Sequence, residues 1–285
     1  MILLAVIAAC VLEKSDTWGP DGKLPLRAET VVSGLEVPWS FAFLPGGDVL
    51  VSERPGRVRL LHGGKLAPDP VLTVKTAESS EGGLLGIAVN PRDDSQLFLY
   101  LTAPGPENQL QRWKLAKDHR SAVLETVVIG GIAAARYHDG GRIRFGPDGA
   151  LYVGTGDARH PSRSQDPNSP NGKYGCQTRQ GMVTPIISWS SHALPPGGVA
   201  VYRGTAIPEL RGNVLVASLA AEHLHRVVLE AGSVKLHEVY FRQKLGRLRE
   251  IAMTPSGELW VSTSNCDGRG ECGPEKDRIV RIVRQ

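Results

Sequence analysis

Apolar and polar residues alternate along most of this chain, in short runs that stop at Pro, Gly or Asp. Five segments share one layout. They are "WSFAFLPGGDVLVSERPGRVRLL" from Trp39, "LGIAVNPRDDSQLFLYLTAPGPENQLQRWKL" from Leu85, "GRIRFGPDGALYVGTGD" from Gly141, "GVAVYRGTAIPELRGNVLVASLAAEHLHRVVL" from Gly198, and "REIAMTPSGELWVSTSN" from Arg249. A period of two puts alternate side chains on one face, the mark of a half-buried strand, and the intervening turn residues set hairpins. Each segment opens with a small apolar strand, turns, and continues into a strand of the Leu-Tyr-Val-Gly or Leu-Trp-Val-Ser type. Four of the five go on to a third strand, near Arg57, Gln109, His223 and Asp277. No stretch of ten or more residues carries a helical stripe. Three- or four-stranded repeats of about 45–55 residues predict an all-β β-propeller, with blades packed around a central channel. A sandwich would not need one motif five times.

The third repeat breaks the pattern. After "GTGDARHPSRSQDPNSPNGK" the expected third strand fails, and "YGCQTRQGMVTPIISW" reads as the outer edge of a later blade. A segment is missing between Lys173 and Tyr174. Residues 158–183 are therefore expected to form a long irregular loop, beside a gap or an abnormally narrow blade.

Composition narrows the class. The chain has 285 residues, 41% of them hydrophobic, with 33 Gly and 20 Pro, which suits one turn-rich globular domain and excludes disorder. The net charge of +4 comes from interspersed charges without a basic run, which argues against a nucleic-acid partner. The N-terminus, "MILLAVIAACVLEKSD", reads as the tail of an export signal ending at a lipidated Cys10, although no Lys or Arg precedes the run; a buried strand is the alternative. The run is too short to span a bilayer. Residues 1–26 are thus expected to be a signal or lipoprotein tail and linker, and 27–285 a single propeller domain in an exported protein, periplasmic or membrane-anchored. Cys266 and Cys272 flank "DGRGE" and suit a local disulfide, while Cys176 has no obvious partner.

The motifs "GLEVPWSFAFLPGGDVLVSERPGRVRLL", "EGGLLGIAVNP", "YHDGGRIRFGPDGALYVGTGD", "FRQKLGRLREIAMTPSGELWVSTSN" and "DRIVRI" occur in the order in which they stand in one family. From about Arg27 onward the chain resembles the soluble pyrroloquinoline-quinone (PQQ) sugar dehydrogenases, the glucose/sorbosone and aldose sugar dehydrogenases. The resemblance implies a six-bladed propeller, here shortened to about five blades or carrying one defective blade. It implies PQQ and Ca2+ as cofactors and oxidation of a small-molecule sugar at its anomeric carbon, and it leaves the electron acceptor open.

The family's base, in an H-x-x-G-R turn, falls on His138, and imidazole chemistry suits proton transfer near neutral pH. Its R-x-R pair falls on Arg247 and Arg249, whose forks would hold cofactor carboxylates and lower the imidazole pKa by like charge. A glutamine of the glucose enzymes falls on Glu81, able to accept from a sugar hydroxyl or help hold a cation. The W-P-T element falls on Trp189 and Ser191, an indole to cover the flat cofactor and a hydroxyl in place of threonine. A core tryptophan is the alternative. The family's H-R-N-P-Q-G segment and its calcium-holding E-H-G-P loop have no counterpart here, and a cofactor-binding lysine falls on Ala220. A non-catalytic carbohydrate- or protein-binding propeller is the competing reading. A calcium-dependent lactonase would need more inward carboxylates than Glu81 and Asp139.

Overall fold

The computed structural model describes residues 13–15, 17–77, 80–105, 107–160, 186–189 and 194–285. Its described residues are almost entirely strand, with two single 3-10 turns, Pro45–Gly47 and Pro208–Leu210, as the helical elements. The expected absence of long helices holds for these residues. The first sheet runs Pro38–Phe43, Val49–Glu53, Arg57–His62 and Lys65–Leu66, with Leu72–Thr73 also on the third strand. The second runs Leu84–Asn90, Asp93–Thr102, Glu107–Leu115 and Ala122–Ala133, and the third holds Gly140–Phe145 and Leu151–Thr155. After the undescribed stretch come Pro196–Val201, Val214–Ser218, Leu224–Glu230 and Ser233–Tyr240. The last sheet runs Leu248–Met253, Leu259–Thr263 and Asp277–Arg284, and its fourth strand is Leu26–Leu35 from the start of the chain.

The arrangement is a propeller because each sheet between two neighbours is apolar on both faces. In Leu84–Asn90, Leu84 and Ile87 face a core shared with the first sheet, while Leu85 and Ala88 face a second core shared with Ile143 of the third. Along Leu259–Thr263, Leu259 and Val261 pack toward Tyr202 and Leu215, and Trp260 packs the other way, toward Phe41 and Val51. Alternation on a strand therefore feeds two cores, and each fully buried Leu or Ile contributes about 1.5–3 kcal/mol. Among the described residues, two faces beside the undescribed stretch are left open. Tyr152 on the third sheet is 59% exposed, and Val199 on the sheet after the undescribed stretch is 57% exposed. Both flank the place where the sequence lacks a segment. The Lys173–Tyr174 junction, Cys10 and Cys176 lie outside the described residues.

Residues ahead of Arg27 also make contacts with the propeller sheets. Trp18 lies 5.1 Å from the His223 ring in a tilted contact, Asp21 bridges to Val239 and pairs with Arg242, and Leu24 packs into a core. The strand Leu26–Leu35 then pairs antiparallel with Asp277–Arg284, so the two ends of the chain close one sheet. Cys266 and Cys272 form the expected disulfide.

Candidate active site

His138 sits in the link between Ala122–Ala133 and Gly140–Phe145, with a left-handed backbone at φ 67°. The bareness of the turn has a steric reason. A Cβ at Gly156 would lie 1.6 Å from the His138 carbonyl oxygen, and one at Gly140 would lie 2.5 Å from the Gly156 nitrogen. Only glycines let the two turns touch. The contact lets the His138 carbonyl accept from the Ala158 N–H at 3.1 Å and brings Asp157 beside the ring. Asp157 Oδ1 lies 2.9 Å from His138 Nδ1 and also accepts from the Arg159 N–H. A carboxylate only accepts, so the network assigns the ring proton to Nδ1 and leaves the Nε2 lone pair open. The imidazole is 61% exposed. Burial would raise the Asp157 pKa, but the bonds from His138 and the Arg159 N–H outweigh it and hold the carboxylate below its ordinary range.

A continuous hydrogen-bonded chain leads from this turn to the arginine pair. The His138 N–H donates to Glu81 Oε2 at 3.0 Å, and Glu81 Oε1 accepts from Arg269 at 2.5 Å. The Arg269 N–H donates to Asp267 Oδ1, while Asp267 Oδ2 accepts from Arg247 Nε and Nη2 (3.1 and 3.0 Å), Arg249 Nη2 (3.2 Å) and the Ser264 hydroxyl. Arg247 and Arg249 do aim at one spot, as their spacing on a strand requires. That spot is a carboxylate of the chain itself. The ring's charged partner is likewise Asp157, in place of the arginines expected from the sequence to act on it.

Beside the pair lies a second cationic group. Arg142 stands 4.3 Å from the Trp39 ring centroid and Arg249 5.8 Å from it. Arg142 donates to the buried Glu250 and to the Gly197 carbonyl, and Arg144 donates to Glu250 at 2.6 Å. The Ser40 hydroxyl completes the Glu250 shell at 2.8 Å. Four guanidinium groups thus share two carboxylates, Glu250 and Asp267. Burial, opposed by Glu250 and reinforced by Arg144 and Arg249, brings Arg142 down to about 10. Arg249 falls to about 10 by burial, with Arg54 and Arg247 adding like charge against Asp267.

Of the residues expected from sequence, His138, Glu81, Arg247 and Arg249 join one network. Trp189 does not. Its ring meets His225 edge-on at 4.7 Å and His237 at 6.3 Å, on the sheet after the undescribed stretch, so it fills the alternative packing role. Ser191 lies outside the described residues. Asp139 is buried and accepts from Asn108 and the Ala135 N–H, a structural role. Sequence reasoning missed Asp157, Trp39, Arg142, Glu250, Asp267 and Arg269. Trp39 and Asp157 stood inside motifs already singled out, and an acid 19 positions after a histidine carries no local signal of pairing. Among the described residues no group of three or more His, Cys, Asp or Glu is placed to hold a metal ion.

The profile of the Glucose / Sorbosone dehydrogenase family matches residues 35–178 and 174–271. The match breaks at the junction where the sequence lacks a segment. An uncharacterised protein of Synechocystis is 35% identical over 150 residues, 48% of this chain, which spans only 36% of that relative's length. Among solved structures, a candidate oxidoreductase (glucose dehydrogenase) of Thermus thermophilus is 31% identical with a TM-score of 0.79, over 90% of this chain and 100% of that one. The PQQ-bound aldose sugar dehydrogenase of Streptomyces coelicolor is 26% identical with a TM-score of 0.79, over 94% and 100%.

Proposed function

Because the chain belongs to the glucose/sorbosone dehydrogenase family, we propose that it is a PQQ-dependent sugar dehydrogenase that oxidises an aldose at the anomeric carbon. The observation that carries this reading is the His138–Asp157 pair tied through Glu81, Arg269 and Asp267 to a cluster of arginines around Trp39. The arginine cluster fits PQQ by its chemistry. Four guanidiniums on two carboxylates leave positive charge for an anionic ligand, and guanidinium forks bind carboxylates in a fixed geometry. Trp39, buried in the core with Leu85 and Ile143, backs Arg142 and Arg249 from beneath. Arg247, Arg249 and Arg142 would hold the cofactor's carboxylates. Calcium does not fit as readily, since the described residues offer no cluster for it and both Glu81 oxygens are already engaged.

When bound, PQQ supplies the electron sink that takes hydride from the sugar carbon. The chain's own residues handle the proton. His138 accepts it at Nε2 from the anomeric hydroxyl, and the sugar leaves as a lactone. Asp157 keeps Nδ1 protonated, orients the ring and stabilises the imidazolium. The arginines bind and orient. Export is part of the proposal, supported by the apolar N-terminal run and by the Cys266–Cys272 disulfide, which suits an oxidising compartment.

Reconstitution with PQQ, with and without calcium, followed by aldose-dependent dye reduction tests the reading. His138→Ala should abolish turnover and leave PQQ binding nearly intact. A wild-type chain that binds no PQQ under either condition would replace this proposal with the non-catalytic propeller.

A further inference from the structure

The loop closed by the Cys266–Cys272 disulfide carries Arg269 from the last sheet across to the His138 turn. There its guanidinium makes three contacts. It donates to Glu81 Oε1 at 2.5 Å and to the Ser80 hydroxyl at 3.3 Å, and it lies 5.7 Å from the Tyr137 ring centroid. Glu81 in turn holds the turn twice, by its Oε2 on the His138 N–H and by its own N–H on the Arg136 carbonyl at 3.3 Å. The His138 backbone is left-handed, a conformation that costs a non-glycine residue of order 1 kcal/mol and must be held by its surroundings. On one side Ala158 and Asp157 hold it; on the other, Glu81 and what orients Glu81.

We infer that Glu81 and Arg269 are positioning residues for His138, with the disulfide-closed loop as the strut that fixes Arg269. The inference rests on the reading of His138 as the base, and it assigns Glu81 a different task from a sugar or cation contact. Both its oxygens are spent on protein donors. Its ionised state agrees with this: burial would raise its pKa, but the His138 N–H and Arg269 outweigh burial and keep it below the ordinary carboxylate range. An amide at this position could still accept from the His138 N–H but would lose the charge that holds Arg269.

The test uses the full chain with its histidines labelled with 15N, of which there are eight, and His138→Gln to assign the His138 signals. Arg269→Gln and Glu81→Gln should each shift the His138 ring signals, speed exchange of its amide proton, and leave the other seven histidines in place. With PQQ and aldose, each variant should lose about tenfold in kcat at unchanged KM and PQQ affinity, the effect of a misplaced base. The double variant should lose no more than the worse single one. Arg269→Lys, which keeps charge without the fork, should fall between. If all histidine signals of Arg269→Gln collapse, the isosteric Glu81→Gln decides. Unmoved His138 signals in Glu81→Gln overturn the inference. So does a raised KM or weakened PQQ binding at unchanged kcat, which would make Glu81 a ligand contact. Shifted His138 signals in a chain that oxidises no aldose support the positioning role and refute only the dehydrogenase reading.

Discussion

Asp157→Asn is the sharpest probe of the proton path. The substitution keeps the shape of a side chain that is 23% exposed and lies 2.9 Å from His138 Nδ1. An amide meets the ring in one of two ways. Its oxygen can accept from Nδ1–H, in a neutral bond about half as strong as the charge-assisted one. Its NH2 can instead donate to Nδ1, which forces the ring proton onto Nε2 and removes the base. The Arg159 N–H, which now donates to Asp157 Oδ1, favours an oxygen at that position and works against the second arrangement. A positioned general base contributes 10²–10⁴ in rate as a typical range, and a ring that is 61% exposed can recover part of its orientation in water. The expected loss in kcat is therefore at the low end, about 100-fold, or about 2.7 kcal/mol of barrier. The assay is aldose-dependent dye reduction at saturating PQQ, with PQQ binding titrated separately by its absorbance. Binding should be unchanged. A kcat within about twofold of wild type, or a loss confined to PQQ affinity, would show that Asp157 does not direct the ring.

Glu250→Gln leaves Arg142 and Arg144 facing each other without their buried counter-charge. Because Arg144 is 41% exposed, the main cost comes from Arg142, and about 2–3 kcal/mol or a drop of roughly 3–5 °C in Tm is expected by calorimetry. Arg247→Gln removes a doubled bond to Asp267 and should weaken PQQ binding, measured by titration, with kcat of the loaded fraction little changed. Burial lowers His223 to about 4 and His225 to about 3, both from an ordinary 6.5. The unfolded chain thus takes up protons that the folded chain refuses, so stability falls as pH drops from 6.5 toward those lower values. Tm should decline over that window, and His225→Phe, beside Trp189 and His237, should flatten the decline.

The alternation of apolar and polar residues determined the strands, and the recurrence of one strand–turn–strand motif determined the propeller. Both are local signals: steric preference and one-sided burial act within a few residues, and the same unit repeated five times needs neighbours on both faces. The glycine-rich turn was legible for the same reason, while His138, Arg247 and Arg249 stood out through the family resemblance. The partners of those groups were not. Ser40 meets Glu250 across 210 positions, and Arg269 meets Glu81 across 188. The sequence pointed to Trp189 as the indole of the site, with a core role as the alternative, and did not single out Trp39. The structure put Trp189 on a face with His225 and His237, and Trp39 under Arg142. Which side chains meet near the axis depends on how far each blade is rotated and how the ring closes through Leu26–Leu35. Those quantities are set by the packing between sheets, which no single strand encodes.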